Sequence, residues 1–257
     1  MTCSYQLFNE DCFETFSRLE DGSVDLVLCD PPYGTTACKW DSVIPLEPMW
    51  GQLRRVAKRN APIVLFGGEP FSSRLRTSAL DLWKYDWVWE KEQSHTPLNA
   101  KFQPLKVHEE VLVFGQAAST YSPKGTMSYQ PQMEDGDPYT RGRRKDGKHR
   151  FHSKSIDIPS IKNPGTRYPR SVIRFNRETG LHPTQKPVAL MEYMIKTYSN
   201  EGDTVLDFTM GSGTTGVACG NLNRNFIGCD SDTEHGYFQI AEQRIGEAYA
   251  KQISEAV

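Results

Sequence analysis

The sequence predicts an α/β protein with a mostly parallel β-sheet covered by helices on both faces. Short apolar runs of strand length alternate with segments of helical period along much of the chain. Two of those runs end in an acid followed by an unusual turn, LVLCDPPYG at 26 to 34 and TVLDFTMGSG at 204 to 213. The second turn is glycine-rich and leads into helical sequence, as strand-to-helix connections in such sheets do.

YQLF (5 to 8), VDLVL (24 to 28), PIVLF (62 to 66), DWVW (86 to 89) and EVLVF (110 to 114) read as strands. Between them Phe13, Phe16 and Leu19 fall at helical spacing, as do Leu46, Met49, Trp50, Leu53 and Val56, then Phe71, Leu75, Ala79 and Leu82. From Gln116 to about Ser171 the pattern dissolves into Pro, Gly, Ser, Tyr and basic residues, too long for an ordinary loop and therefore an inserted module or a functional lid. Regularity returns with Pro187 as the first residue of a helix through Tyr198, strand TVLDF (204 to 208), a helix from Thr214 and strand NFIGCD (225 to 230).

The formal charge of the 257-residue chain is only -2, but its distribution is uneven. Residues 141 to 174 carry eleven Lys and Arg against Asp146 and Asp157, a segment of +9 on a remainder of -11. An acidic body with one basic segment suits a localised site for a polyanion. The N-terminus lacks a basic flank followed by an apolar stretch and no run approaches membrane-spanning length, so a soluble cytoplasmic protein without membrane contact is expected. The six cysteines form no CxxC pair, and no metal site is expected. His149 and His152 have a conceivable metal spacing, but amid so many Lys and Arg they read better as phosphate contacts or solvated side chains.

In DTVLDFTMGSGTTGVACGNLNRNFIGCD, residues 203 to 230, one strand ends at Asp207, Gly211, Ser212 and Gly213 turn the chain into a helix at Thr214, and the next strand ends at Asp230. Glycines allow close approach to a ligand, and an acid ending the second strand can accept hydrogen bonds from ribose hydroxyls. Gly211, Gly213 and Gly216 also complete a GxGxxG, so spacing alone admits a dehydrogenase. DPPY at 30 to 33 has no place in that reading, whereas a cofactor carrying an adenosine and an activated methyl accommodates both motifs.

DPPY, followed downstream by HPTQKP at 182 to 187 and DFTMGSGTTG at 207 to 216, resembles the amino-methyltransferases that modify DNA bases, in the permuted order of the beta class. The resemblance runs from about Leu7 to Ile245 and includes NAKFQPLKVHEEVLVFG (99 to 115) and YPRSVIRF (168 to 175). It implies a Rossmann-like S-adenosylmethionine-dependent methyltransferase fold, made from residues 1 to 115 and 172 to 257, with a target-recognition insertion at 116 to 171. It also implies S-adenosyl-L-methionine as cofactor and double-stranded DNA as partner, and it allows a homodimer and a cognate restriction enzyme. The setting would be a bacterial cell or its phage.

Within that resemblance, the catalytic residues would be Asp30, Pro31, Pro32 and Tyr33. The Asp30 side chain and the Pro31 carbonyl would accept the two hydrogens of an exocyclic amine, freeing its lone pair, while Tyr33 would stack on a base rotated out of the helix. The bland alternatives are a cap or turn role for Asp30 and a core role for Tyr33. Cofactor contacts would come from Asp11, Cys12, Asp30, Lys186, Asp207, Thr209, Gly211, Ser212, Gly213, Thr214 and Asp230, with Lys186 near the methionine carboxylate. Asp11 reads equally as an N-cap, and Cys29 and Cys229 as packing. DNA phosphates would meet Arg141, Arg143, Arg144, Lys145, Lys148 and Arg150. The chain departs from the frequent DPF pattern: Phe208 is displaced by one position and Thr209 takes the aromatic place, which leaves open the side chain that covers the cofactor's adenine. The implied reaction is site-specific methylation of adenine at N6, with N4 of cytosine second because those relatives often carry Ser in place of Asp30. A protein glutamine methyltransferase and a non-catalytic DNA-binding module rank lower.

Overall fold

A computed structural model describes residues 3–35, 41–94, 97–146, 156–178, 180, 185–231 and 236–255. The chain divides into two compact units, one formed by Met1–Gln130 with Ser171–Val257 and the other by Pro131–Arg170.

In chain order the larger unit contains β1 (Tyr5–Phe8), α1 (Cys12–Arg18), β2 (Leu26–Cys29), α2 (Leu46–Val56), β3 (Pro62–Gly67), α3 (Phe71–Ser78), β4 (Trp83–Glu90) and β5 (His108–Gly115). The smaller unit contributes β6 (Glu134–Asp135), β7 (Tyr139–Arg141), β8 (Arg144–Asp146), β9 (Ile156–Ile158), β10 (Ile161–Asn163) and β11 (Thr166–Arg167). The larger unit then resumes with β12 (Val172–Arg174), α4 (Val188–Tyr198), β13 (Thr204–Asp207), α5 (Thr214–Asn221), β14 (Asn225–Cys229) and α6 (Tyr237–Glu255).

Eight strands form one sheet in the order β1-β14-β13-β2-β3-β5-β4-β12. Every neighbouring pair is parallel except the two that involve β5, so β5 alone runs against the rest. Strands β2 and β3 are buried along their whole length, as expected for central strands covered on both faces. Their side chains divide with period two: Leu26, Leu28, Val64 and Phe66 pack with α4, α5 and α6, whereas Val27, Cys29, Ile63 and Leu65 pack with α1, α2 and α3. The sheet thus separates two apolar layers, and each fully buried aliphatic or aromatic side chain contributes about 1.5–3 kcal/mol.

Pro187 stands as the N-cap of α4, whose first residue is Val188. Strand β12 and helix α6 are structural additions to the elements legible in sequence. β12 is too short for a periodic signal, and α6 packs on α5 through a face that glycines keep shallow. A Cβ on Gly216 would fall 2.5 Å from Ile245 Cδ1, and one on Gly213 2.8 Å from Ala241 Cβ.

Residues 117–130 belong to the body: Ala117 and Met127 are buried in its core, and Gln130 N donates to Thr197 O at 2.7 Å. The compact insert therefore begins at Pro131, later than the compositional change at Gln116, because two apolar anchors hold the intervening stretch down. Within the insert β6 pairs with β11, β7 with β10 and β8 with β9, all antiparallel, so the chain runs out and back as one nested two-stranded arm. Arg167 lies over the Tyr139 ring at 4.8 Å. No helix among the described residues is long and apolar enough to cross a membrane.

Gly213 has φ +80°, a left-handed conformation, and no room for a methyl group against α6. Gly213→Ala is expected to destabilise the protein by about 2 kcal/mol or more, seen as a lower urea midpoint with an unchanged m value.

Candidate active site

Strands β2 and β13 are sheet neighbours, and beyond them the chain goes opposite ways, from β2 to β3 on one side and from β13 to β14 on the other. Such a reversal opens a crevice at the carboxyl ends of the strands. Asp30 follows β2 and Asp207 closes β13, so the two motif turns face each other across this crevice. A cleft of about 580 Å³ lies there, lined by Asp30 to Tyr33 from the first turn, by Asp207 to Ser212 and Thr214 from the second, and by Asp11, Cys12, Lys186 and Asp230.

The turns are stitched together. Thr209 Oγ1 donates to the Asp30 carbonyl at 3.0 Å and lies 2.9 Å from Cys29 Sγ. Burial holds the Cys29 thiol protonated by pushing it well above the usual cysteine range. Phe208 turns the other way, into the layer of α1, where it packs on Phe16 with ring centroids 5.4 Å apart.

Asp30 carries two partners on its side chain. Tyr33 Oη donates to Oδ1 at 2.7 Å, and Lys186 Nζ pairs with Oδ2. Burial first, and the Asp30 charge second, raise Tyr33 well above an ordinary tyrosine, so it remains a donor. Its ring stacks on Phe71 at 5.2 Å and 21°. Gly34 N and Thr35 N both donate to the buried Asp41, at 2.8 and 2.9 Å, and close the loop after DPPY.

Asp207 is consumed by its own turn: Thr209 N donates to Oδ1 at 3.1 Å and Thr215 Oγ1 to Oδ2 at 2.5 Å. Burial raises its carboxyl to about 7 against those donors. Gly211 has φ +51°, open space where a Cβ would stand, and an N–H that donates to Asp230 Oδ2 at 2.8 Å. Ser212 is held from behind by Arg244, whose Nη1 donates to its carbonyl at 2.5 Å. Asp11 caps α1 by accepting from Phe13 N at 2.8 Å and lines the cleft as well. Cys12 is buried and pushed up to about 12, chiefly by that burial.

Arg141 and Arg143 are exposed in the insert, Arg144 and Lys145 enter its β8–β9 ladder through their backbone, and Lys148, Arg150, His149 and His152 lie outside the described residues, as does His182. The cluster was only partly visible in sequence. Asp41, Lys91 and Arg244 sit at or behind the cleft outside the quoted motifs, and Glu109 lines it from the 99–115 stretch, where the signal was acid at the start of an otherwise apolar strand, Glu109 and Glu110 before VLVF.

A family model described as DNA methylase matches residues 24–243. The chain belongs to the N6/N4 DNA methylase family. Relatives of this methylase include Type II methyltransferase M.HpaI of Haemophilus parainfluenzae, 29% identical over 93% of this chain and 74% of that protein. Type II methyltransferase M1.MboII of Moraxella bovis is 25% identical over 88% of this chain and 91% of its own. Among solved structures, the M1.HpyAVI–SAM complex matches with a TM-score of 0.60 at 26% identity, covering 93% of this chain and 99% of that one. PvuII DNA methyltransferase (cytosine-N4-specific) matches at 0.66 over 98% and 93%, but with 14% identity it speaks for the fold alone.

The methylase is a DNA methyltransferase whose methyl donor is S-adenosylmethionine. The cleft fits that donor. Its volume is of the size small-molecule sites have. Gly211 leaves the backbone accessible, Asp230 places a carboxylate beside it, and Phe13, Ile44 and Pro45 give apolar lining.

Because the folded-state carboxyl of Asp207 is raised to about 7, its contribution to stability is present at low pH and is lost as pH rises from about 4 through 7. Between pH 5 and 7.5 the wild-type Tm should therefore fall relative to that of Asp207→Asn. Parallel Tm profiles of the two proteins would contradict the assignment.

Proposed function

We propose that the methylase transfers the methyl group of S-adenosylmethionine to the exocyclic N6 amine of adenine in double-stranded DNA, at a specific site and with the target base rotated out of the helix. The observation that carries this reading is the Asp30 carboxylate, fixed at the end of β2 in the same cleft as the Gly211–Asp230 turn. S-adenosylmethionine supplies an electrophilic methyl on a sulfonium centre. The amine that receives it has its lone pair delocalised into the base, so it needs two acceptors that draw its hydrogens out of the conjugated plane.

Asp30 Oδ atoms and the Pro31 carbonyl are those acceptors. A carboxylate offers about four lone-pair sites, so the Tyr33 and Lys186 contacts leave room for an incoming N–H. Pro31 and Pro32 fix φ and so hold the carbonyl in place without donating hydrogen bonds of their own. Tyr33, backed by Phe71, forms an aromatic wall for the rotated base. Asp230 serves the ribose hydroxyls, Asp11 and Cys12 the adenine end, and Gly211 to Thr214 the backbone of the cofactor site. Asp207 and Thr209 shape the turn from behind, and Lys186 acts on Asp30. Rate then comes from orientation and hydrogen bonding.

The arm of Pro131–Arg170 is the target-recognition unit in this reading, with Arg141, Arg143, Arg144, Lys145, Lys148 and Arg150 on the phosphate backbone. The Type II designation of M.HpaI and M1.MboII supports a restriction-modification setting with a cognate endonuclease.

Nucleosides from DNA of a methylase-free strain expressing the protein should contain N6-methyladenine, and an expressed Asp30→Ala variant should leave none. Mass spectrometry that finds only N4-methylcytosine would exchange the target base, and modification by Asp30→Ala at wild-type level would remove the acceptor assignment. Asp230→Ala loses a charged hydrogen-bond acceptor worth about 1.5–3 kcal/mol, so calorimetry should show S-adenosylmethionine binding weakened roughly ten- to a hundredfold.

A further inference from the structure

Behind Asp30 lies a row of charges that are buried at both lysines and half-buried at the carboxylate between them. Lys91 follows β4, Glu109 is on β5, and Lys186 precedes α4. Lys91 Nζ pairs with Glu109 Oε1, Lys186 Nζ stands 3.4 Å from Glu109 Oε2, and the same Lys186 Nζ pairs with Asp30 Oδ2. The order is therefore ammonium, carboxylate, ammonium, carboxylate, with Asp30 at the cleft end. Both lysine side chains are almost wholly buried, 6% and 7% exposed. Lys91 lies over the Trp89 ring at 4.7 Å and Lys186 over the Phe66 ring at 5.1 Å. Apolar and aromatic walls leave each ammonium dependent on carboxylates for its solvation.

We propose that Glu109 is a positioning residue for methyl transfer: held between two lysines, it balances their charge and fixes Lys186 against the acceptor carboxylate of Asp30. The proposal rests on the reading of Asp30 as the acceptor and assigns roles to Glu109 and Lys91 behind it. With all four groups ionised the row is neutral. Without the Glu109 charge, two buried ammoniums face one carboxylate, and the excess positive charge stands beside a target nitrogen that itself gains positive charge as the methyl arrives. Lys186 would also lose the Glu109 carboxylate at 3.4 Å, which leaves Asp30 Oδ2 with a less firmly placed partner while Tyr33 still holds Oδ1.

Burial disfavours charge on Lys186, yet Asp30 and Glu109 outweigh it and raise the ammonium above the usual lysine range, so Lys186 holds the acceptor as a cation and takes no proton. Burial likewise opposes charge on Glu109, and Lys186 and Lys91 together lower its carboxyl nonetheless. Burial pulls Lys91 down against the raising effect of Glu109 and, more weakly, of Asp30. Glu109 turns one oxygen to each lysine, Oε1 to Lys91 and Oε2 to Lys186.

The test is single-turnover transfer of labelled methyl groups into DNA, which counts methylation of either base, with calorimetric Kd values for S-adenosylmethionine and DNA. Glu109→Gln should lower the transfer rate about 100-fold, as a small misplacement of a reacting group does, while both Kd values stay within about twofold. Adding Lys91→Met removes the excess charge and should restore about tenfold of that loss, a coupling of the size found between contacting residues. A Glu109→Gln protein with the wild-type rate would overturn the proposal. So would a loss that Lys91→Met leaves untouched, or one matched by an equal loss of cofactor or DNA affinity, since a packing role or direct ligand contact would behave that way. Should Glu109→Gln fail to fold, the double variant decides: folded and active, it supports charge balance, while unfolded or inactive it refutes it. An active Asp30→Ala would instead remove the acceptor assignment, and that outcome is read on a different protein.

Discussion

The site depends on one contact between neighbouring strands. Thr209, just past β13, donates its hydroxyl to the carbonyl of Asp30, just past β2, and Cys29 closes the triangle. Through it the turn that would hold a methyl donor and the turn that would hold a methyl acceptor are fixed relative to each other by two short hydrogen bonds. Methyl transfer demands that fixity, because the reacting atoms must come within about 3–3.5 Å in line. The parallel pairing of β13 with β2 supplies the coarse alignment, Val205 opposite Leu26 and Leu206 opposite Val27, and Thr209 supplies the fine one.

The same contact accounts for the departure at Thr209. The phenylalanine of the DPF pattern has no donor for the Asp30 carbonyl. The ring one residue earlier, Phe208, is directed into the α1 layer, where it fills core volume against Phe16. Asp207 fits this arrangement as a buried organiser, with both oxygens taken by Thr209 and Thr215 of its own turn and its carboxyl raised toward neutrality. In the proposed reading Asp230 and Asp30 are the acids of this cleft that serve the chemistry, and Asp207 shapes the backbone beside them.

Electrostatics divides the molecule into a buried and an exposed regime. At the cleft, the buried Lys91 and Lys186 meet the half-buried Glu109 and Asp30, and removal of one partner leaves a charge unpaired. In the insert, Arg141 and Arg143 are exposed. Charges of the second kind suit a polyanion bound reversibly and with strong salt dependence. Those of the first kind suit a geometry that must not change between turnovers.

The sequence by itself determined the layered α/β class, the strands β1 to β5, β13 and β14 at their cores, and the two motif turns, because these rest on local periodicity and on residue types with few substitutes: Asp-Pro-Pro-Tyr and Gly-Ser-Gly. It marked the insert by composition but placed its start at Gln116, since the anchoring of Ala117 and Met127 is a matter of distant packing partners. Only the tertiary structure decided that Lys186 faces Asp30 and Glu109, that Asp41 closes the DPPY loop and that Arg244 braces Ser212. The lysine and arginine contacts join residues far apart in the chain, whereas Asp41 reaches back only seven residues to Gly34 with no motif to mark it; the free energy of a buried charge is set by which partner the fold brings within a few ångströms, a distance that no local pattern of residues encodes.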